Sequence, residues 1–250
     1  MDLAGRTALV IGAQRPLGRA IAVALGERGA DVAVAGVSRD EREDFRVHSV
    51  ANELWALDRR GLAVPIDLRV PSLVEAAVQQ VDSEWSRLDI LVNAQDRLLA
   101  LPFDETGPDE WAEMLDANLT SAALACQAAG RVMMRDHAMH GRGGAIVSLV
   151  CAPAVEGHAG FAAYAAAAGG LLALTRSLAA EWAEWDIAVA ALEVGFGRDQ
   201  LEEAAPAGAA HPVALPDRPD LPNREIAAAV AALIESGESG VVRRLQPSGG

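Results

Sequence analysis

A phenol, two thiols and a few imidazoles are the side chains of this chain that could move a proton or attack an electrophile. The phenol is Tyr164, the only tyrosine among 250 residues. The thiols are Cys126 and Cys151, and His158 lies between Cys151 and Tyr164. A free phenol ionises near pH 10, so a tyrosine working near neutrality needs a shift of ~3 pH units, about 4 kcal/mol of preferential phenolate stabilisation. A nearby cation is the usual source. The chain has no lysine, its 21 basic residues are all arginine, and the residue one helical turn beyond Tyr164 is Ala168. Tyr164 therefore reads either as an impaired proton donor or as an aromatic packed on an Ala-rich helix. Cys151 reads as a small buried residue, since a thiol with no cation beside it is not activated. His158 is either a stand-in general base or a surface-loop histidine. His137, His140, His158 and His211 show no metal-ligand spacing, and no metal is expected.

A second constellation is the turn Gly12-Ala-Gln-Arg15-Pro16-Leu-Gly18. A glycine-rich strand-to-helix turn lets a backbone approach a pyrophosphate at a helix N-terminus. It equally serves as a tight turn with no ligand. Pro16 favours the second use, because it removes an N–H from a place where one could face a phosphate.

These residues need elements to hold them. Strands are expected at 7–11, 31–35, 62–66, 88–93, 145–150, 187–192 and 240–245 from their short apolar, β-branched runs. Helices are expected at 17–25, 50–57, 72–85, 108–139 (interrupted near Asn118), 161–185 and 225–234, with Ser72 and Glu75 as a capping box. The charged segment 38–48 reads as a loop. This alternation predicts an α/β fold: one Rossmann-type, doubly wound parallel sheet of about seven strands with helices on both faces. The whole of 1–250 is expected as one domain. Residues 195–222, rich in Pro, Ala and Asp, form a long loop over the carboxyl edge of the sheet, where such folds bind substrate.

The formal net charge of −14 excludes nucleic acid and anionic membrane as main partners. No run is apolar and long enough to span a bilayer, and the start lacks a secretion signal, so a cytoplasmic location is expected. Two cysteines make no disulfide framework.

With these motifs in hand, the chain resembles the short-chain dehydrogenase/reductase family from Thr7 to the terminal Ser-Gly-Gly. The family turn T-G-x-x-x-G-x-G is matched at Gly12 and Gly18 but carries Pro16 for its middle glycine. The resemblance implies cofactor contacts at Gly12, Arg15, Gly18, Arg39, Asp67 and Asn93. Arg15 and Arg39 suit a 2′-phosphate, and no acidic residue ends the second strand, so NADP is implied over NAD. Asp67 would contact adenine, or else caps the turn before Pro71. The family N-N-A-G appears as Asn93-Ala-Gln-Asp96, and its P-G as Val194-Gly195.

The resemblance also implies a catalytic set. A tyrosine acts as acid or base, a lysine four residues on holds ribose and lowers the phenol pKa, a serine polarises substrate, and an asparagine holds a relay water. Carried over, these are Tyr164, Ala168, Cys151 and Asn118. The changes at Pro16, Asp96, Cys151, Ala168 and Val194 together lead to an expectation of no cofactor or weakly bound NADP. They also favour a non-catalytic or accessory subunit, a pseudoenzyme paired with a homologous subunit in a heteromeric dehydrogenase of hydroxyacyl-CoA type. A dimer or tetramer, a hetero- or a homo-oligomer, is expected through the helices at 108–139 and 161–185, with Trp182 and Trp185 as anchors or core. The alternatives are an atypical NADP-dependent oxidoreductase using Tyr164, and a non-redox lyase or cyclase on the same scaffold.

Overall fold

The computed structural model describes residues 1–36, 41–66, 70–152, 156–195, 204 and 221–245. Among them, β1 (Thr7–Ile11), β2 (Asp31–Gly36), β3 (Gly61–Pro65), β4 (Ile90–Asn93), β5 (Gly144–Cys151), β6 (Ile187–Val194) and β7 (Val242–Arg244) make one sheet. Its order is β3-β2-β1-β4-β5-β6-β7, and every pairing is parallel. The helices are α1 (Pro16–Glu27), α2 (Glu41–Ala56), α3 (Pro71–Trp85), α4 (Pro108–Leu115), α5 (Ser121–His140), α6 (Ala162–Glu181) and α7 (Asn223–Ser236).

The two-residue period of the strands sorts side chains to two faces. On one, Ala8, Val10, Val32 and Val34 pack with α1, with Val47, Val50 and Leu54 of α2, and with Ile226 and Val230 of α7. On the other, Leu9, Ile11, Ala33 and Ala35 meet Val74, Val78 and Val81 of α3 and Ala125, Ala129 and Met133 of α5. This doubly wound layering is the expected one. Strand order reverses between β1 and β4, and their carboxyl ends flank the crevice where open α/β sheets take ligands.

Two local expectations are corrected, and a third is given its form. The charged stretch 38–48 is helical from Glu41 onward, because Val47, Val50, Ala51 and Leu54 form a buried stripe that continues up from it. Its charges mark the solvent face of a helix, not a loop. Ser72 is not the cap of α3. The N-cap position is Val70, without a side-chain cap, and Pro71 at the first helical position supplies the pre-set φ. The interruption near Asn118 is a π-helical turn, Asp116–Thr120, which joins α4 to α5 without a break. Trp182 is core: its indole fills the space beside Gly130, where a Cβ would lie 2.7 Å from the ring.

Candidate active site

The ends of β1, β4 and β5 bring the first group of residues together. Ile11, Asn93 and Ser148 share one row of the sheet. Asn93 Nδ2 donates to Ser148 Oγ at 3.2 Å and reaches Cys126 Sγ at 3.5 Å, tying β4 to β5 and to α5. Cys126 is fully buried, and burial pushes its thiol up to about 12. Asn93 Oδ1 and Gln95 Oε1 are both buried without a partner, and both residues line one small cavity with Val74, Ala117 and Ser121.

The turn after β1 is built by close approach. Gly12 has φ +92, and a Cβ there would lie 2.7 Å from the Ala94 carbonyl oxygen. A Cβ on Gly18 would lie 2.3 Å from the Gly12 carbonyl oxygen. Both glycines are thus fixed by the protein's own packing. Arg15 is the N-cap residue of α1 and Pro16 its first helical residue. Gln14 lies over the end of β2, where a Cβ on Gly36 would come within 2.4 Å of Gln14 Oε1. Arg39 and Asp67 lie outside the described residues, as does 195–222 apart from Gly195, Ala204, Leu221 and Pro222.

From Asn93 the chain runs as a strap toward α4. Its Ala94 N–H donates to the Ile11 carbonyl at 2.9 Å. The π-turn presents Asn118 to this strap. Asn118 Oδ1 accepts the Arg97 N–H at 2.8 Å, and its Nδ2 donates to the Arg97 carbonyl at 2.9 Å and the Met114 carbonyl at 3.1 Å. Further on, the Ala100 N–H donates to the Ala204 carbonyl and the Leu101 N–H to the Gly160 carbonyl, each at 2.9 Å. Leu98 and Ala100 of the strap pack with Phe161, Tyr164, Ala168 and Cys151 in a third apolar cluster.

Tyr164 sits inside that cluster at 1% exposure. Its oxygen accepts the Cys151 backbone N–H at 2.6 Å. The carboxylate of Asp96, itself buried at 7% exposure, acts on the phenol from the strap. The phenol is held well above its usual value of 10.0. Burial is the largest cause, followed by the charge of Asp96, that of Cys151 and the Asp96 hydrogen bond; only the Cys151 amide acts in the opposite sense. No cation offsets them among the described residues. The small side chain of Ala168, one turn along α6, is buried at 1% exposure. His158 packs on Phe161 with ring centroids 5.8 Å apart.

The structure thus brings Tyr164, Cys151 and Asn118 to one edge of the sheet, and Gly12, Gly18 and Asn93 beside them. It adds Asp96 and Arg97, whose link to Tyr164 and Asn118 no spacing in the sequence announces. No His/Cys/Asp/Glu group that could hold a metal occurs among the described residues.

The family model described as short chain dehydrogenase matches residues 6–207. The chain belongs to that family. It is 33% identical to the 3-oxoacyl-[acyl-carrier-protein] reductase FabG of Escherichia coli over 208 residues, 82% of this chain and 78% of that one. Two solved structures share the fold over nearly the full length. A blue fluorescent protein from a metagenomic library, in complex with NADPH, has a TM-score of 0.82 at 27% identity and covers 98% of each chain. Carveol dehydrogenase from Mycobacterium avium, in complex with NAD, has a TM-score of 0.81 at 25% identity, covering 98% of this chain and 97% of that one. No described helix of this short chain dehydrogenase is long and apolar enough to cross a membrane.

Proposed function

We propose that this chain is the non-catalytic subunit of a heteromeric dehydrogenase, assembled with a homologous short chain dehydrogenase that carries the chemistry. The observation that carries this reading is the state of Tyr164: buried, under the influence of a buried carboxylate, and with no cation among the described residues to stabilise its phenolate. A general acid or base needs a pKa near the working pH, and of the influences on this phenol only the Cys151 amide does not push it away. Asn118, the resemblance's holder of a relay water, has both side-chain polar atoms engaged by the chain itself.

The same residues argue against a nicotinamide dinucleotide held in the family's manner. Gly12 and Gly18 are explained by internal contacts, Pro16 offers no N–H, Gln14 covers the end of β2, and Asp96 places negative charge at the crevice. NADP binding weak enough to be unimportant follows from these features. The surface left for a partner includes α6, whose exposed positions Ala162, Ala166, Gly169 and Ala173 are small enough for another helix to approach closely. The identity with 3-oxoacyl-[acyl-carrier-protein] reductases supports 3-oxoacyl or 3-hydroxyacyl thioesters as the substrate class of the assembly.

The test is the isolated chain with NADPH and a 3-oxoacyl thioester, then the chain co-expressed with a homologous subunit. No turnover alone, and co-purification with the partner, is the expected result. Brisk turnover by the homogeneous chain rejects the reading and favours an NADP-dependent reductase, the alternative supported by the NADPH-bound neighbour. In that case Tyr164→Phe would abolish the rate.

A further inference from the structure

We infer that the small cavity between Asn93 and Gln95 is a binding site for one water molecule, which donates one hydrogen bond to Asn93 Oδ1 and the other to Gln95 Oε1. The site ties the end of β4 to the π-helical turn, and it stands whether or not the chain turns over a substrate.

The hydrogen bonds around the cavity lead to it. Gln95 Nε2 donates to the Ala117 carbonyl at 2.9 Å. A carbonyl only accepts, so this bond fixes which way the Gln95 amide faces and turns Oε1 away from Ala117. Asn93 Nδ2 is committed to Ser148 Oγ and Cys126 Sγ, which leaves Oδ1 as its contribution to the cavity. Both oxygens are shielded from solvent, and neither has a partner within the chain. Asn93 as a whole is 3% exposed. Among the described residues the cavity wall has one hydroxyl, that of Ser121, and it already donates to the Ala117 carbonyl at 2.6 Å. The other lining side chains are apolar. A buried acceptor without a donor costs its desolvation in full, so two of them on one wall call for a ligand with two donors. The cavity sets the size of that ligand. About 10 Å³ is open to the centre of a water-sized molecule, which is room for one. A hard metal cation takes about six oxygens, and the wall offers two that are uncommitted. Ala117 precedes Asn118 in the π-helical turn, so the water braces the side chain that holds this turn against β4.

The experiment has two arms, both on the full chain. A high-resolution crystal structure should show a peak of density within hydrogen-bond reach of both oxygens, about 2.7–3.2 Å from each. In solution, magnetic relaxation dispersion of the solvent counts long-lived internal water. Gln95→Met keeps the length of the side chain without its oxygen, and the count should fall by one in that variant. Absence of the peak, with the Asn93 amide turned to donate directly to Gln95 Oε1, overturns the inference. An equal count of internal water in the unmodified chain and in a folded Gln95→Met overturns it as well. Should Gln95→Met fail to fold, the density in the unmodified chain decides alone.

Discussion

Asn118 and Arg97 are joined by a reciprocal pair of hydrogen bonds, side-chain amide to backbone amide, at 2.8 and 2.9 Å. The π-helical turn makes this possible. Its wider winding turns Asn118 out of the helix line and toward the strap. Replacing Asn118 by Ala leaves the part-buried Arg97 backbone groups short of two partners. The expected loss is about 2–4 kcal/mol, from two hydrogen bonds and the desolvated groups they leave. Urea unfolding followed by tryptophan fluorescence measures it. A loss below about 0.5 kcal/mol would mean that the strap is held from elsewhere.

The glycines of the turn allow a sharper separation of fold from ligand. Gly12→Ala places a methyl 2.7 Å from the Ala94 carbonyl oxygen at φ +92. It should destabilise the ligand-free chain by about 2–4 kcal/mol, through contact and backbone strain together. Gly169 on α6 is the control, since a Cβ there meets nothing within 4 Å. Gly169→Ala should stabilise the isolated chain by about 0.5–1 kcal/mol through helix propensity. Thermal unfolding of both variants without nucleotide gives the comparison. A harmless Gly12→Ala would remove the packing explanation for that glycine.

Gly169 and Ala173 also test the assembly. Both are exposed on α6, so Ala173→Leu should leave the isolated chain's stability within about 0.5 kcal/mol, and Gly169→Leu should not lower it. If α6 faces a homologous subunit, the same side chains block close approach, and co-purified partner should fall several-fold. Undiminished assembly in both variants would place the partner surface elsewhere.

Much of this arrangement was legible in the sequence, and the limits are physical. β1 is read to the residue, because TALVI is a fully buried run bounded by a glycine. The start of α2 was not, because its first turns are charged and only Val47 begins the buried stripe. Tyr164, Cys151 and Asn118 were singled out by the family resemblance, and the structure gathers them at one edge of the sheet. What the spacing could not show is the use each is put to. Cys151 meets the phenol through its backbone N–H, a group every residue but proline has. Asp96 reads in the sequence as a lost glycine; only the fold shows its carboxylate against a phenol 68 positions further on. Long-range pairs of this kind leave no local period to detect.

The alkaline limb of stability offers the cleanest electrostatic test, because a chain without lysine has few groups that titrate there. The Cys126 thiol is raised from 9.0 to about 12 in the folded state, and the Tyr164 phenol is raised well above 10.0. Both are acids whose folded pKa lies above the unfolded one. Their contribution is complete below the unfolded pKa and is lost as pH rises toward the folded value. Between the unfolded and folded pKa the unfolded chain has released a proton that the native chain still binds. Stability should therefore fall by about 1.4 kcal/mol per pH unit once the pH passes about 9 and Cys126 begins to contribute. The slope should approach about twice that above pH 10, when Tyr164 joins. Urea midpoints at a series of pH values, taken in a Cys151→Ala background to silence the other thiol, trace the curve. Tyr164→Phe should return the upper segment to the single slope, and Cys126→Ala should remove the first descent. A midpoint that stays level to about pH 11 would show that neither group is as deeply buried as the fold places it.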